Sequence, residues 1–146
     1  MVDKRKVVLS LWDTWAAHPE NLRALVYPQT DVVLLCFSVV SQASLEHVKE
    51  IWWPEVTRHC GAALLVVGLK VDLREEKLEL LREKGTEPVW PEQGDLLARD
   101  ISALQYIECS ALTGKSLKEV FHLALTTALS LPNHLPAKKA GGCSLL

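Results

Sequence analysis

Two uninterrupted apolar runs constrain this chain more than any other feature. Val32-Val33-Leu34-Leu35-Cys36-Phe37 lies between Asp31 and Ser38, and Ala63-Leu64-Leu65-Val66-Val67-Gly68 is a second run of the same kind. A segment of this length that is apolar on both faces must be covered on both faces. That is the situation of an internal strand in a parallel sheet, where crossover helices pack above and below. Val7-Val8-Leu9-Ser10-Leu11-Trp12, ending at Asp13, reads as a further strand. Tyr106-Ile107-Glu108-Cys109 reads as a shorter one.

Helical periodicity fills the intervals. Leu45, Val48, Trp52 and Val56 recur at three- and four-residue steps and make one apolar stripe. Pro54 predicts a kink or break in that helix, and Gly61 a stop after it. Residues 75–84 read as a charged surface helix closed by Gly85, and residues 91–101 as a helix turning Leu97 and Ile101 inward. Leu117, Val120, Phe121, Ala124, Ala128 and Leu131 form the cleanest stripe. Ser116 and Glu119 predict a capping box before it, and Pro132 ends it. Strands alternating with helices give an α/β fold, a mainly parallel sheet with helices on both faces. In such folds ligands bind beyond the C-terminal ends of the strands. That directs attention to Asp13, Ser38, the loop after Gly68 and the loop after Cys109.

With 146 residues, the chain is one domain's worth of sequence. Hydrophobic residues at 49% and charged residues at 23% exclude a disordered class. Lys plus Arg is 16 against 18 for Asp plus Glu, a net charge of −2 without the basic excess that nucleic-acid binding needs. No apolar run approaches the ~18 residues of a membrane span, and the N-terminal run is too short for a signal peptide. Cys36, Cys60, Cys109 and Cys143 form no C-x-x-C and no zinc spacing. They predict free thiols in a reducing, intracellular setting, with Cys36 as a small core residue.

Three short motifs carry chemistry. Gly114-Lys115-Ser116 lies between a strand and a helix, as a phosphate-binding loop would. Such a loop needs a glycine five residues before Gly114, where this chain has Cys109, so the stretch reads instead as a helix start. Lys70-Val71-Asp72 follows the second buried strand. A carboxylate there can accept two N–H donors from a guanine edge, a geometry that rejects adenine, and a solvated turn is the plainer alternative. Asp13 at the end of the first expected strand could hold Mg²⁺ through water, or be an ordinary turn residue.

The order of these fragments carries a resemblance. Leu11-Trp12-Asp13-Thr14, Tyr27-Pro28-Gln29-Thr30-Asp31-Val32, Cys36-Phe37-Ser38, Trp53-Pro54-Glu55-Val56, Val67-Gly68-Leu69-Lys70-Val71-Asp72-Leu73-Arg74, Glu87-Pro88-Val89 and Glu108-Cys109-Ser110-Ala111 closely resemble the Rho family of small GTPases. The register holds from about residue 7 onward. The Trp-Pro-Glu-Val piece and the charged helix before Glu87-Pro88-Val89 look like the Rho-type helix and insertion. The resemblance implies an incomplete small-GTPase fold in residues 1–131, lacking the first strand and the phosphate loop. It also implies a C-terminal tail in residues 132–146. The missing strand would lie between residues 7–12 and 32–37, leaving a gap or a direct pairing of those two strands. The resemblance further implies GTP or GDP with Mg²⁺ as ligands. Guanine contacts fall at Lys70, Asp72, Ser110 and Ala111, and the Mg²⁺ carboxylate is Asp13.

The departures are equally specific. The family's D-T-A-G-Q-E stretch is Asp13-Thr14-Trp15-Ala16-Ala17-His18 here, with Ala16 for the glycine that meets the γ-phosphate. Ala17 replaces the glutamine that orients the attacking water, so no catalytic residue is assigned. Leu69 stands where the family's base-reading box has a polar residue, and Leu112 where the S-A-K box has lysine. The chain ends Cys143-Ser144-Leu145-Leu146, which fits a C-a-a-X box of the geranylgeranyl type at Cys143, beside a thin basic pair, Lys138-Lys139. The expectation is a prenylated Rho-like signalling protein with impaired or lost nucleotide chemistry. It would lie at the cytoplasmic face of membranes with a cytosolic pool. Its expected partners are Rho-type regulators or effectors and a prenyl-binding chaperone. The alternatives are a working GTPase represented by an incomplete chain, and a non-catalytic module competing for Rho regulators.

Overall fold

The computed structural model describes residues 6–14 and 17–131. The two apolar runs form β1 (Val32–Ser38) and β2 (Ala63–Leu69), and β3 (Gln105–Cys109) completes a parallel sheet of order β1-β2-β3. The register pairs Ser38 with Leu69 and Leu69 with Cys109. All three strands therefore end level, and the loops that follow them emerge along one rim. β2 has a neighbour on each edge and is buried from Leu64 to Gly68, which explains a sequence with no polar side chain.

The expected strand at residues 7–12 is not formed. Residues 6–14 have no regular secondary structure, and Val8 and Trp12 are 90% and 70% exposed. Neither a pairing with β1 nor a strand in its own right results. Apolar, β-branched sequence favours an extended backbone, but a strand is stabilised by its ladder, and no ladder forms here. Cys36 is also corrected: it is exposed, not a core residue. It lies on the outermost strand, on the face away from Leu35 and Phe37, where less of the sheet is covered.

The helices are α1 (Glu20–Arg23), α2 (Gln42–His47), α3 (Trp53–His59), α4 (Leu73–Glu76), α5 (Leu78–Glu83), α6 (Pro91–Asp100) and α7 (Leu117–Ser130). Between α2 and α3 the chain stays helical through a π turn, Val48–Trp52. The kink or break expected at Pro54 takes the form of a local widening of the helix. The missing Pro54 N–H and its ring would conflict with an ordinary turn before it, and the wider turn relieves this. Cys60 leaves α3 in an extended conformation, so Gly61 is not a left-handed stop. The charged surface segment divides into α4 and α5 and closes at Gly85, whose φ of 68° suits glycine. Leu131 is extended beyond α7, as expected for a residue preceding proline.

Two cores of unequal size flank the sheet. Leu35, Phe37, Leu64 and Val66 face Val48, Val56, Leu97, Ala98 and Ile101 on one side. Val67 and Cys109 meet Val120 of α7 on the other, with Leu34, Leu69, Ile107 and Leu117 around them. No helix among the described residues is long and apolar enough to cross a membrane.

A buried carboxylate ties the segment before β1 to this core. Glu55, only 4% exposed, accepts from Arg23 Nε at 2.9 Å and from the Tyr27 hydroxyl at 2.5 Å. The Arg23 guanidinium lies 5.2 Å from the Trp52 ring centroid, a cation–π contact. The hydrogen bonds from Arg23 hold the Glu55 carboxyl below the usual carboxylate range, overcoming the desolvation that opposes them. The exposed pairs of Arg58 and His59 with Glu20 add little by comparison.

A folded-state pKa below the unfolded value gives stability that is present above about pH 4.3 and lost as pH falls through the folded pKa. Glu55→Ala leaves Arg23 and the Tyr27 hydroxyl without their acceptor and should cost about 3–5 kcal/mol. Urea titration at neutral pH checks the magnitude. Repeating it between pH 5 and 3 should show a shallower acid loss for Glu55→Gln than for the parent chain.

Candidate functional site

The level strand ends bring two loops together. After β2, Lys70 takes a left-handed conformation (φ 65°), and its carbonyl accepts from Leu73 N–H at 2.9 Å, turning the chain into α4. Lys70 is exposed and Asp72 half-buried. The Asp72 carboxylate makes no hydrogen bond or ion pair among the described residues, so it can accept from a ligand. After β3, Ser110 is fully buried and organises its own loop. Its hydroxyl accepts from Thr113 N–H at 3.1 Å, its carbonyl from Gly114 N–H at 3.0 Å, and its N–H donates to the Lys115 carbonyl at 3.0 Å. Ala111 and Leu112 are thereby turned outward, and their N–H groups make no hydrogen bond among the described residues.

The two loops are joined at the backbone and by side chains. Val71 N–H donates to the Cys109 carbonyl at 3.4 Å, carrying the β2–β3 ladder one step beyond the strands. Arg74 and Glu108, 34 residues apart, form a two-pronged ion pair. Nη1 meets Oε2 at 2.9 Å, and Nη2 meets Oε1. The Tyr106 hydroxyl donates to Glu108 Oε1 at 2.6 Å, and Arg74 Nε donates to the Val89 carbonyl at 3.1 Å. Arg74 also lies 5.8 Å from the Trp90 ring centroid. Burial pulls the Glu108 carboxyl upward, but Arg74 and Tyr106 outweigh it and the carboxyl stays below its ordinary value. Desolvation and the bond to Glu108 push the Tyr106 hydroxyl well above its own.

Two glycines make room for Tyr106. A Cβ on Gly94, inside α6, would fall 2.2 Å from the ring, and one on Gly68 would fall 2.5 Å from the hydroxyl oxygen. The ring stacks on Phe37 at 5.9 Å. Sequence reading places Arg74 and Glu108 inside quoted motifs without a role for either. The available signal is a charge at a strand position flanked by apolar residues, Glu108 between Ile107 and Cys109.

Lys70, Asp72, Ser110 and Ala111 are thus brought to one rim. Asp13 is exposed in a stretch without regular structure, close enough to Cys36 of β1 to help push that thiol's pKa up. No group of three His, Cys, Asp or Glu side chains able to hold a metal occurs among the described residues. Ala17 lies in an exposed turn, while Ala16 and the lipidation candidate Cys143 fall outside the described residues. The expected capping box is also absent. Ser116 is itself left-handed (φ 52°) and makes no side-chain cap, while the Gly114 carbonyl accepts from Leu117 N–H. The Gly114-Lys115-Ser116 turn is a strand-to-helix connection closed on Ser110. Leu69 packs with the smaller core, and Leu112 is 82% exposed.

A guanine edge offers two adjacent N–H donors and one carbonyl acceptor. An unengaged carboxylate beside outward-facing amides complements that edge, whereas nothing among the described residues forms a cradle for phosphates. The model of the Ras family matches residues 1–130, nearly the whole length of the chain. This match, over a chain that forms a three-stranded parallel sheet with helices on both faces, shows that the chain belongs to the Ras family of small GTP-binding proteins.

Proposed function

We propose that this chain is a Rho-type member of the family that keeps the base-reading loops but has lost tight nucleotide binding and GTP hydrolysis. It would act through its surfaces at membranes. One observation carries the reading: the loops of Lys70–Asp72 and Ser110–Ala111 are built and joined, while Asp13 is exposed without regular structure and Ala17 lies in an exposed turn. Nucleotide affinity in this class rests on backbone amides and a lysine around the phosphates. Base contacts open to water each replace a contact to solvent and add little net affinity. Ala17 in place of glutamine removes the group that would orient an attacking water.

The Rho assignment rests on Trp53-Pro54-Glu55-Val56 and on the charged segment that forms α4 and α5. That segment and the exposed Trp90 are candidate surfaces for Rho-type regulators or effectors. Geranylgeranylation of Cys143 would supply the membrane partition energy, with a prenyl-binding chaperone holding a cytosolic pool.

Calorimetric titration of nucleotide-stripped protein with GDP and Mg²⁺ should give no binding at micromolar concentration and no hydrolysis of GTP. Micromolar binding that Asp72→Ala abolishes would return the chain to the working GTPases. For the tail, Cys143→Ser should shift the protein from the membrane to the soluble fraction of transfected cells. Equal fractions for the two proteins would sink the lipid anchor.

A further inference from the structure

The ion pair between Arg74 and Glu108 is more than a surface contact. Its side chains are only 12% and 21% exposed, and both oxygens of the carboxylate are engaged. Arg74 is two residues past Asp72, and Glu108 two residues before Ser110. The pair therefore spans the two loops immediately behind the groups that would touch a base. The Val71 N–H to Cys109 carbonyl bond is a second span between the same loops. Tyr106 fixes the carboxylate from the sheet side, wedged between Gly68, Gly94 and Phe37, and the Val89 carbonyl fixes the guanidinium from the other. A planar guanidinium held at three nitrogens by two partners has little freedom to rotate.

We propose that Arg74 and Glu108, held by Tyr106, are positioning residues that lock the Asp72 loop and the Ala111 loop into one rigid reader selecting guanine over hypoxanthine. This rests on the base-reading function proposed above. Guanine and hypoxanthine differ only in the 2-amino group, one of the two donors that a carboxylate at Asp72 would accept. Selection between them requires that the carboxylate and the outward amides of Ala111 and Leu112 keep a fixed separation. Without the pair, each loop can shift independently, and the carboxylate can follow whichever donor remains. Selectivity then falls more than affinity does.

The test titrates the full chain with GMP and with IMP, which carry the same phosphate, following loop amide shifts by NMR at millimolar nucleotide. Hydrogen bonds to a charged group predict a GMP preference of about tenfold or more in the parent protein. Arg74→Ala should reduce it to less than about threefold. Glu108→Gln keeps the size of the side chain and a partner for Tyr106, so it serves if Arg74→Ala does not fold, and it should act in the same direction. Arg74→Lys, which keeps charge but not the fork, should be intermediate. Glu55→Gln weakens the fold at Arg23 and Tyr27, which belong to neither loop, and should leave the preference unchanged. Parent-like selectivity in Arg74→Ala and Glu108→Gln, or equal loss in Glu55→Gln, overturns the clamp and leaves base reading intact. A parent protein that binds neither nucleotide overturns base reading and the clamp together.

Discussion

β2 has a hydrogen-bonded neighbour on each edge and a packed layer on each face. A strand so enclosed has no place for charge and no freedom of register, because a one-residue slip would exchange its two faces. Everything that positions the candidate site follows from it. The parallel register sets the ends of β1, β2 and β3 level. The loops after β2 and β3 then meet at one rim, and the ladder continues across them through Val71 and Cys109. The one charge within the strands is Glu108, next to the end of β3. Arg74 and Glu108 lie at that boundary, and there they find each other.

What the sequence disclosed follows from this enclosure. Apolar runs that admit no polar face identified β1 and β2, and the 3.6-residue stripes identified the long helices. Residues 7–12 misled because their composition reports compatibility with a strand, whereas a strand exists only if a neighbour completes its ladder. Cys36 misled for a related reason: its run is apolar throughout, but burial depends on which face and which edge are covered. Ser116 carries a cap-forming side chain, yet a left-handed backbone directs it away from that role. Pro54 announced a disturbance but not its form, since a π turn and a break both accommodate a helix position without an N–H.

The candidate site was half legible. Lys70, Asp72, Ser110 and Ala111 were visible because their motifs are local. The bond between Arg74 and Glu108 was not, because a pair 34 residues apart leaves no local pattern in one sequence. The same holds for Glu55, whose partners Arg23 and Tyr27 come from α1 and the irregular segment after it. Gly68 and Gly94 show the converse: glycines inside a strand and a helix, costly there by themselves, become intelligible only once the Tyr106 ring is in place.

The proposed picture is a molecule in which the joined loops after β2 and β3 read a base, while the stretch that holds Asp13 forms no regular structure. The most direct measurement is the ratio of GDP to GMP affinity, taken with and without Mg²⁺ on the same nucleotide-free protein. A phosphate cradle makes the second phosphate and the metal dominate binding, whereas a base reader is indifferent to both. The account predicts a ratio within about threefold of unity, less than 1 kcal/mol, that does not respond to Mg²⁺. A GDP preference of a hundredfold or more, about 2.7 kcal/mol, that collapses on chelation of the metal would contradict it.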